Sequence, residues 1–117
     1  MSIRARPTVL EEKVKEEIKL HLKEIYPDCL FSMPVQTGFG GVFLDIVCCI
    51  EGKYVEIEAK RKGKEPTQRQ NDRIEAVRAA GGFADFIHGA SHEGPNMDVI
   101  LDMLEEWLDT FRPKEEW

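Results

Sequence analysis

Apolar residues recur at spacings of three and four along the first part of the chain, at Val14, Ile18, Leu22 and Ile25, and the pattern stops at Tyr26-Pro27-Asp28. That period gathers them on one side of a helix that begins at Thr8. A short apolar run over residues 30–35 then predicts a strand, and Gly38-Phe39-Gly40-Gly41 predicts a loop. Two further apolar runs, residues 44–50 and 53–60, flank Glu51-Gly52 and read as the strands of a hairpin. A helix is expected from Thr67 to a stop at Gly81-Gly82, and a buried strand over residues 83–88. After a polar loop comes a last amphipathic helix over residues 96–111, carrying Ile100, Leu101, Leu104 and Leu108. The order helix, strands, helix, strand, helix predicts an α/β fold, a mixed sheet flanked by helices. A length of 117 residues suits one domain, 1–117.

The hairpin carries the chemistry. A two-residue turn at Glu51-Gly52 pairs Ile50 with Lys53, Cys49 with Tyr54 and Val47 with Glu56, and sets Asp45 opposite Glu58. By the period of two, Ile46, Cys48, Ile50, Val55, Ile57 and Ala59 share an apolar face. The opposite face gathers Asp45, Glu56, Glu58 and Lys60 at its open end. Carboxylates directly opposed at roughly 5 Å repel unless a cation intervenes. Lys60 as a structural ion pair, plain solvation of the face, or a divalent cation such as Mg²⁺ would each answer that repulsion. Glu56, on the same face, reads as a solvated neighbour, and Glu12 turns with Lys15 toward solvent.

Charge distribution changes the picture more than total charge. The net charge of -6 argues against a protein that coats nucleic acid by bulk electrostatics. Yet the six cations Lys60, Arg61, Lys62, Lys64, Arg69 and Arg73 cluster against only Glu65 and Asp72, directly after the charged strand, while residues 93–117 are strongly acidic. No apolar run approaches the roughly 20 residues that span a bilayer, and residues 1–8 lack a signal peptide's apolar stretch, so the expected location is the cytoplasm. Cys29, Cys48 and Cys49 have neither disulfide-framework nor zinc spacing and are expected as buried free thiols. Gly38 to Gly41 lacks the spacing of a nucleotide-binding loop. His21, His88 and His92 have no nucleophile beside them in the pattern.

Asp45 followed by Glu58-Ala59-Lys60 resembles the D…(D/E)-x-K signature of the PD-(D/E)-x-K nuclease superfamily, with Leu44 where a proline often stands. Around it lie Phe31-x-x-Pro34-Val35-Gln36, the glycine-rich loop, Gly63-Lys64-Glu65-Pro66-Thr67-Gln68-Arg69-Gln70 and Ala79-Ala80-Gly81-Gly82. In that order they are similar to small, phage-type members of the virus-type replication-repair nuclease (VRR-NUC) family over roughly residues 8–90.

The resemblance implies a restriction-endonuclease-like fold and a Mg²⁺- or Mn²⁺-dependent DNA endonuclease. It implies metal ligation by Asp45, Glu58 and the backbone carbonyl of Ala59, with Glu11 acting directly or through water. Lys60 would orient the attacking water and Gln70 would complete the site. Arg61, Lys62, Lys64, Arg69 and Arg73 would contact phosphates. Branched DNA such as a four-way (Holliday) junction is the implied substrate, cut by a homodimer. The last helix, with Met97, Met103, Trp107 and Phe111, carries more large apolar side chains than one side of a small core needs, which reads either as the dimer contact or as ordinary packing. The protein would lie in the host cytoplasm if it is virus-encoded. Thr8-Val9-Leu10-Glu11 and Thr67-Gln68-Arg69-Gln70 are also capping boxes, so Glu11 and Gln70 have structural readings beside the functional ones. Two rivals stay open: a nicking, flap or single-strand nuclease of the same fold, and an inactive module that binds DNA or protein.

Overall fold

A computed structural model of the chain describes residues 7–33, 43–89 and 95–114. Helix α1 (Pro7–Ile25) leads to a short strand β1 (Leu30–Ser32), followed by β2 (Ile46–Ile50), β3 (Lys53–Lys60), α2 (Gln68–Ala79), β4 (Phe83–His88) and α3 (Met97–Asp109). The four strands form one mixed sheet in the order β1-β2-β3-β4. The first two pairings are antiparallel, and β3 with β4 is parallel, joined through α2. Among the described residues no helix is long and apolar enough to cross a membrane.

The hairpin register is the one read from the turn: Ile50 faces Lys53, Cys49 faces Tyr54 and Val47 faces Glu56. Glu51 and Gly52 both take positive φ, 54° and 78°, the pairing of signs that closes a two-residue turn along the twist of the strands. Glycine meets this demand without strain at the second position, while Glu51 adopts it beside Arg112, whose guanidinium nitrogens donate to its carboxylate at 2.8 and 2.9 Å. Arg112 also bonds Glu105, which accepts from the Tyr26 hydroxyl at 2.7 Å, so α1, α3 and the hairpin turn meet in one polar clasp.

The period-two reading divides the core into two layers. On one side of the sheet Ile46, Cys48, Ile50, Val55, Ile57 and Ala59 pack with Val14, Ile18 and Leu22 of α1 and Ile100, Leu101, Leu104 and Leu108 of α3. On the other side a smaller cluster of Leu44, Ile74, Val77 and Ala84 lies under α2. Only Ile74 and Val77 of α2 are buried, so this helix covers the sheet with a narrow apolar stripe and many polar side chains. The face it covers is the one that carries the acids.

Several boundaries differ from the sequence reading. The first helix opens at Pro7, where a fixed φ and a missing N–H suit a first turn, so Thr8 is inside the helix rather than its cap. The first strand stops at Ser32, and residues 34–42, with the predicted glycine loop, lie outside the described residues. The last helix ends at Asp109, and Asn96 caps it by accepting from the Val99 amide at 3.0 Å. Cys29 and Cys48 are buried thiols as expected, but Cys49 is exposed because it alternates with Cys48 across the sheet. Trp107 packs on Phe83 and Phe111 at ring distances of 5.7 and 5.0 Å, and the Lys53 ammonium lies 4.5 Å over Phe111. Much of the apolar excess of α3 is therefore used inside the chain.

Ile57 is fully buried between Glu56 and Glu58 on β3 and anchors both against the core. Ile57→Ala should cost about 2–5 kcal/mol in urea unfolding. A loss below about 1 kcal/mol would show that this strand does not depend on its apolar side.

Candidate functional site

Backbone pairing of β2 with β3 ends at Ile46 and Ile57, and beyond it the side chains of β3 take over. The Leu44 amide donates to Glu56 Oε1 at 3.0 Å and the Asp45 amide donates to Glu58 Oε1 at 3.2 Å. In return the Ala59 amide donates to Asp45 Oδ2 at 3.0 Å. The segment that carries Asp45 is thus held by carboxylates where ladder bonds would otherwise hold it. Asp45 and Glu58, expected opposite one another, are each tied to the other's strand. The Lys60 ammonium lies 3.4 Å from Glu58 Oε2.

Burial sets the electrostatics. Glu58 is 3% exposed and Lys60 8%, far below what charged side chains usually show. Burial first, and the Asp45 charge second, push the Glu58 carboxyl up to about 8, with Lys60 pulling the other way. Donation to Glu58 Oε2 at 3.0 Å comes from the Gln70 side-chain nitrogen. The same side chain caps α2: its oxygen accepts from the Thr67 amide at 2.9 Å, and Thr67 Oγ1 accepts from the Gln70 amide at 3.2 Å. Gln70 therefore caps the helix with its oxygen and reaches the acid with its nitrogen, so the two readings of this residue are compatible.

Glu56 corrects the sequence reading. The pattern along the strand makes it a solvated neighbour, whereas the residue is fully buried, because α2 closes over this face. Arg73 donates to it from Nε at 3.0 Å and from Nη2 at 2.5 Å, and the Tyr54 hydroxyl donates as well. Burial works to raise the Glu56 carboxyl, but these bonds overcome it and hold the group below the usual carboxylate range. Arg73, expected among the phosphate contacts, turns inward to this pair and stacks 4.8 Å from the Phe43 ring centroid. The rest of the basic run is placed otherwise: Lys62, Lys64 and Arg69 are exposed and Arg61 is half-buried, with its Nε buried and unpartnered among the described residues.

A second lysine belongs to the site, one that the helical pattern does not single out. Lys15, expected to face solvent with Glu12, has its ammonium 3.8 Å from Asp45 Oδ1 and 2.8 Å from Glu12. Burial works against its charge, but the Glu12 bond and the nearby Asp45 hold its pKa above the ordinary lysine value. Lys15 stands four residues after Glu11, only about 40° round the helix, so the two share one side of α1. Glu11 is half-buried one turn before it on that face. His88, opposite Lys60 on β4, is buried and bonds the Lys64 carbonyl at 2.6 Å, which ties the basic loop to the sheet.

The donor set suits a hard dication. Among the described residues no three His, Cys, Asp or Glu side chains converge as a ready cluster. Two carboxylates do converge, Glu58 buried and Asp45 half-buried beside it, and burial together with the Asp45 charge raises the Glu58 carboxyl. Mg²⁺ takes one or two carboxylates with carbonyl oxygen and keeps several waters, so Asp45, Glu58 and the Ala59 carbonyl are a fitting set.

Among the described residues these elements define an α/β domain with a mixed four-stranded sheet and three helices, Glu58 and Lys60 at the end of β3, Asp45 beside them before β2, and a glutamine on the helix that follows. The fold is that of a solved structure described as "VRR_NUC domain", with a TM-score of 0.58, 20% sequence identity, and coverage of 81% of this chain and 94% of that one. No protein-family model matches the chain, and no curated protein matches it in sequence.

Two outcomes follow. Arg73→Met leaves the Glu56 carboxylate buried without its cation and should cost about 3–5 kcal/mol by denaturant unfolding, with much of the loss recovered in Glu56→Gln/Arg73→Met. Because the folded-state pKa of Glu58 is raised, its contribution is favourable below the unfolded carboxylate value and is lost as pH climbs toward 8. In chelator, Glu58→Gln should therefore match the wild type in Tm near pH 5 and exceed it at pH 9, by roughly 1–3 kcal/mol of stability. A constant difference across that range would remove the burial argument.

Proposed function

We propose that the chain is a member of the VRR-NUC family and a metal-dependent DNA endonuclease that hydrolyses phosphodiester bonds. The observation that carries this reading is the buried Glu58 and Lys60 at the end of β3, with the half-buried Asp45 tied to Glu58 from just before β2, on a VRR_NUC fold. Asp45, Glu58 and the Ala59 carbonyl, with Glu11 reaching in from α1, would hold Mg²⁺ or Mn²⁺. When bound, the ion supplies Lewis acidity for activating water and neutralising charge at the phosphate. Lys60 orients the attacking water and stabilises negative charge that develops on the phosphate oxygens. Gln70, fixed by its cap, donates to Glu58 and faces the same space. The exposed Lys62, Lys64 and Arg69, with the half-buried Arg61, contact phosphates on either side.

Phosphate contacts position a duplex without reading bases, which favours a substrate recognised by shape. Branched DNA, with four-way junctions foremost, is the substrate we assign. One domain offers one such site, so cutting two strands in register requires a homodimer. The rival reading, an inactive DNA- or protein-binding module, draws support from the pairing of each acid with a lysine, which neutralises the pair without a metal.

Labelled four-way junction, flap, linear duplex and single-stranded DNA, incubated with the protein in Mg²⁺ or Mn²⁺, separate these readings. The junction should be cut, and Asp45→Ala and Lys60→Ala should each lower the rate by at least about 100-fold. Cutting of a flap or single strand in preference moves the substrate but keeps the nuclease. Wild-type protein that cuts none of them, or variants that cut equally well, would leave the binding module.

A further inference from the structure

Each acid of the site faces its own lysine. Lys60 Nζ lies 3.4 Å from Glu58 on the same strand, and Lys15 Nζ reaches Asp45 Oδ1 from α1 at 3.8 Å. Each acid is thus offset by an ammonium group without any bound ion, and Lys15 has Glu12 as a further acidic partner. A divalent cation held by Asp45 would meet the Lys15 ammonium beside Oδ1, so the two compete for that carboxylate.

The two lysines differ in their freedom to move. Lys60 has a side chain only 10% exposed, on the central strand β3 and beneath α2. Lys15 is 20% exposed and already has a second partner, Glu12, which at 2.8 Å is nearer than Asp45. Leaving Asp45 thus costs Lys15 its longer ion pair and keeps the shorter one. The helix itself is held by its core contacts, with Val14, Ile18 and Leu22 packed on the apolar side of the sheet and Val14 lying close against Gly89 at the end of β4. The backbone is fixed and the lysine stem is the movable part.

We infer that Lys15 is a stand-in cation for the metal: it neutralises Asp45 in the metal-free protein, competes with a divalent cation for that carboxylate, and on displacement rests on Glu12 at the edge of the site. There its ammonium is free to face a substrate phosphate. This inference rests on the metal reading of the site proposed above. Lys15 is a positioning residue in this account, and Glu12 sets how readily it yields.

The test is Mn²⁺ binding to the full chain without DNA, followed by calorimetry in wild type, Lys15→Met, Lys15→Arg and Glu12→Gln, with thermal unfolding to confirm that each is folded. Removing a unit charge about 4 Å from a ligand carboxylate should tighten Mn²⁺ binding about tenfold in Lys15→Met. Lys15→Arg, which keeps the charge, should stay within about twofold of wild type, and Glu12→Gln, which removes the resting place, should weaken binding about threefold. In the Lys15→Met background Glu12→Gln should lose most of its effect, whereas two charges acting independently on the ion would weaken binding equally in either background. Equal or weaker binding in Lys15→Met overturns the inference and leaves the metal site standing. Absence of Mn²⁺ binding in both wild type and Lys15→Met overturns the metal reading, and the inference with it.

Discussion

The exchange of hydrogen bonds between Asp45 and the Glu58-Ala59 segment holds the remainder of the site in place. Antiparallel pairing stops at Ile46, and a loop that left the sheet there would carry Asp45 away from β3. Carboxylates on β3 catch the Leu44 and Asp45 amides instead, and the Ala59 amide holds the Asp45 side chain in return. The arrangement is costly, because it buries acids beside one another in a medium that disfavours their charge. It persists because polar groups from every surrounding element bear on those acids. Gln70 comes from the cap of α2, Lys60 from β3 and Lys15 from α1, while Arg73 and Tyr54 serve Glu56.

The helices around the sheet divide their duties accordingly. On the apolar face α1 and α3 pack conventionally and supply most of the core. On the other face α2 contributes little apolar area, and its position depends on polar contacts to the acids as well as on Ile74 and Val77. Stability and chemistry therefore draw on different sides of the same strand. A solved VRR_NUC domain shares this fold at low sequence identity, which is what results when the layer plan is kept and most of the surface is free to change.

The hairpin is legible in the sequence because Glu51-Gly52 fixes its register and the register fixes both faces. Alternation also shows that the acids share a face, but it is silent on what lies above that face. Hence Glu56 is misplaced by the pattern: nothing along β3 announces that α2 will cover it, and α2 does so with only two buried apolar positions, Ile74 and Val77. Lys15 escapes notice for a different reason. Beside Glu12 it forms an ordinary surface ion pair, and only the packing of α1 on the sheet, which no pattern along the helix records, brings its ammonium to Asp45. Arg73 belongs by sequence to a run of cations with one apparent purpose, and the fold separates it from them because a buried acid claims it first.

The tight turn at Glu51-Gly52 has a further consequence. Alternation along a strand is a matter of parity, so the residues of β3 that meet α2 are the even-numbered ones because the turn holds two residues. One inserted residue there is either absorbed by a longer loop with a bulge, which keeps both faces, or offsets the whole of β3 by a single step, sending Glu56, Glu58 and Lys60 into the oily layer and Ile57 and Ala59 beneath α2. Drift in this family of shapes can therefore proceed residue by residue almost anywhere on the surface, but a change of length at this turn survives only where the loop itself takes it up.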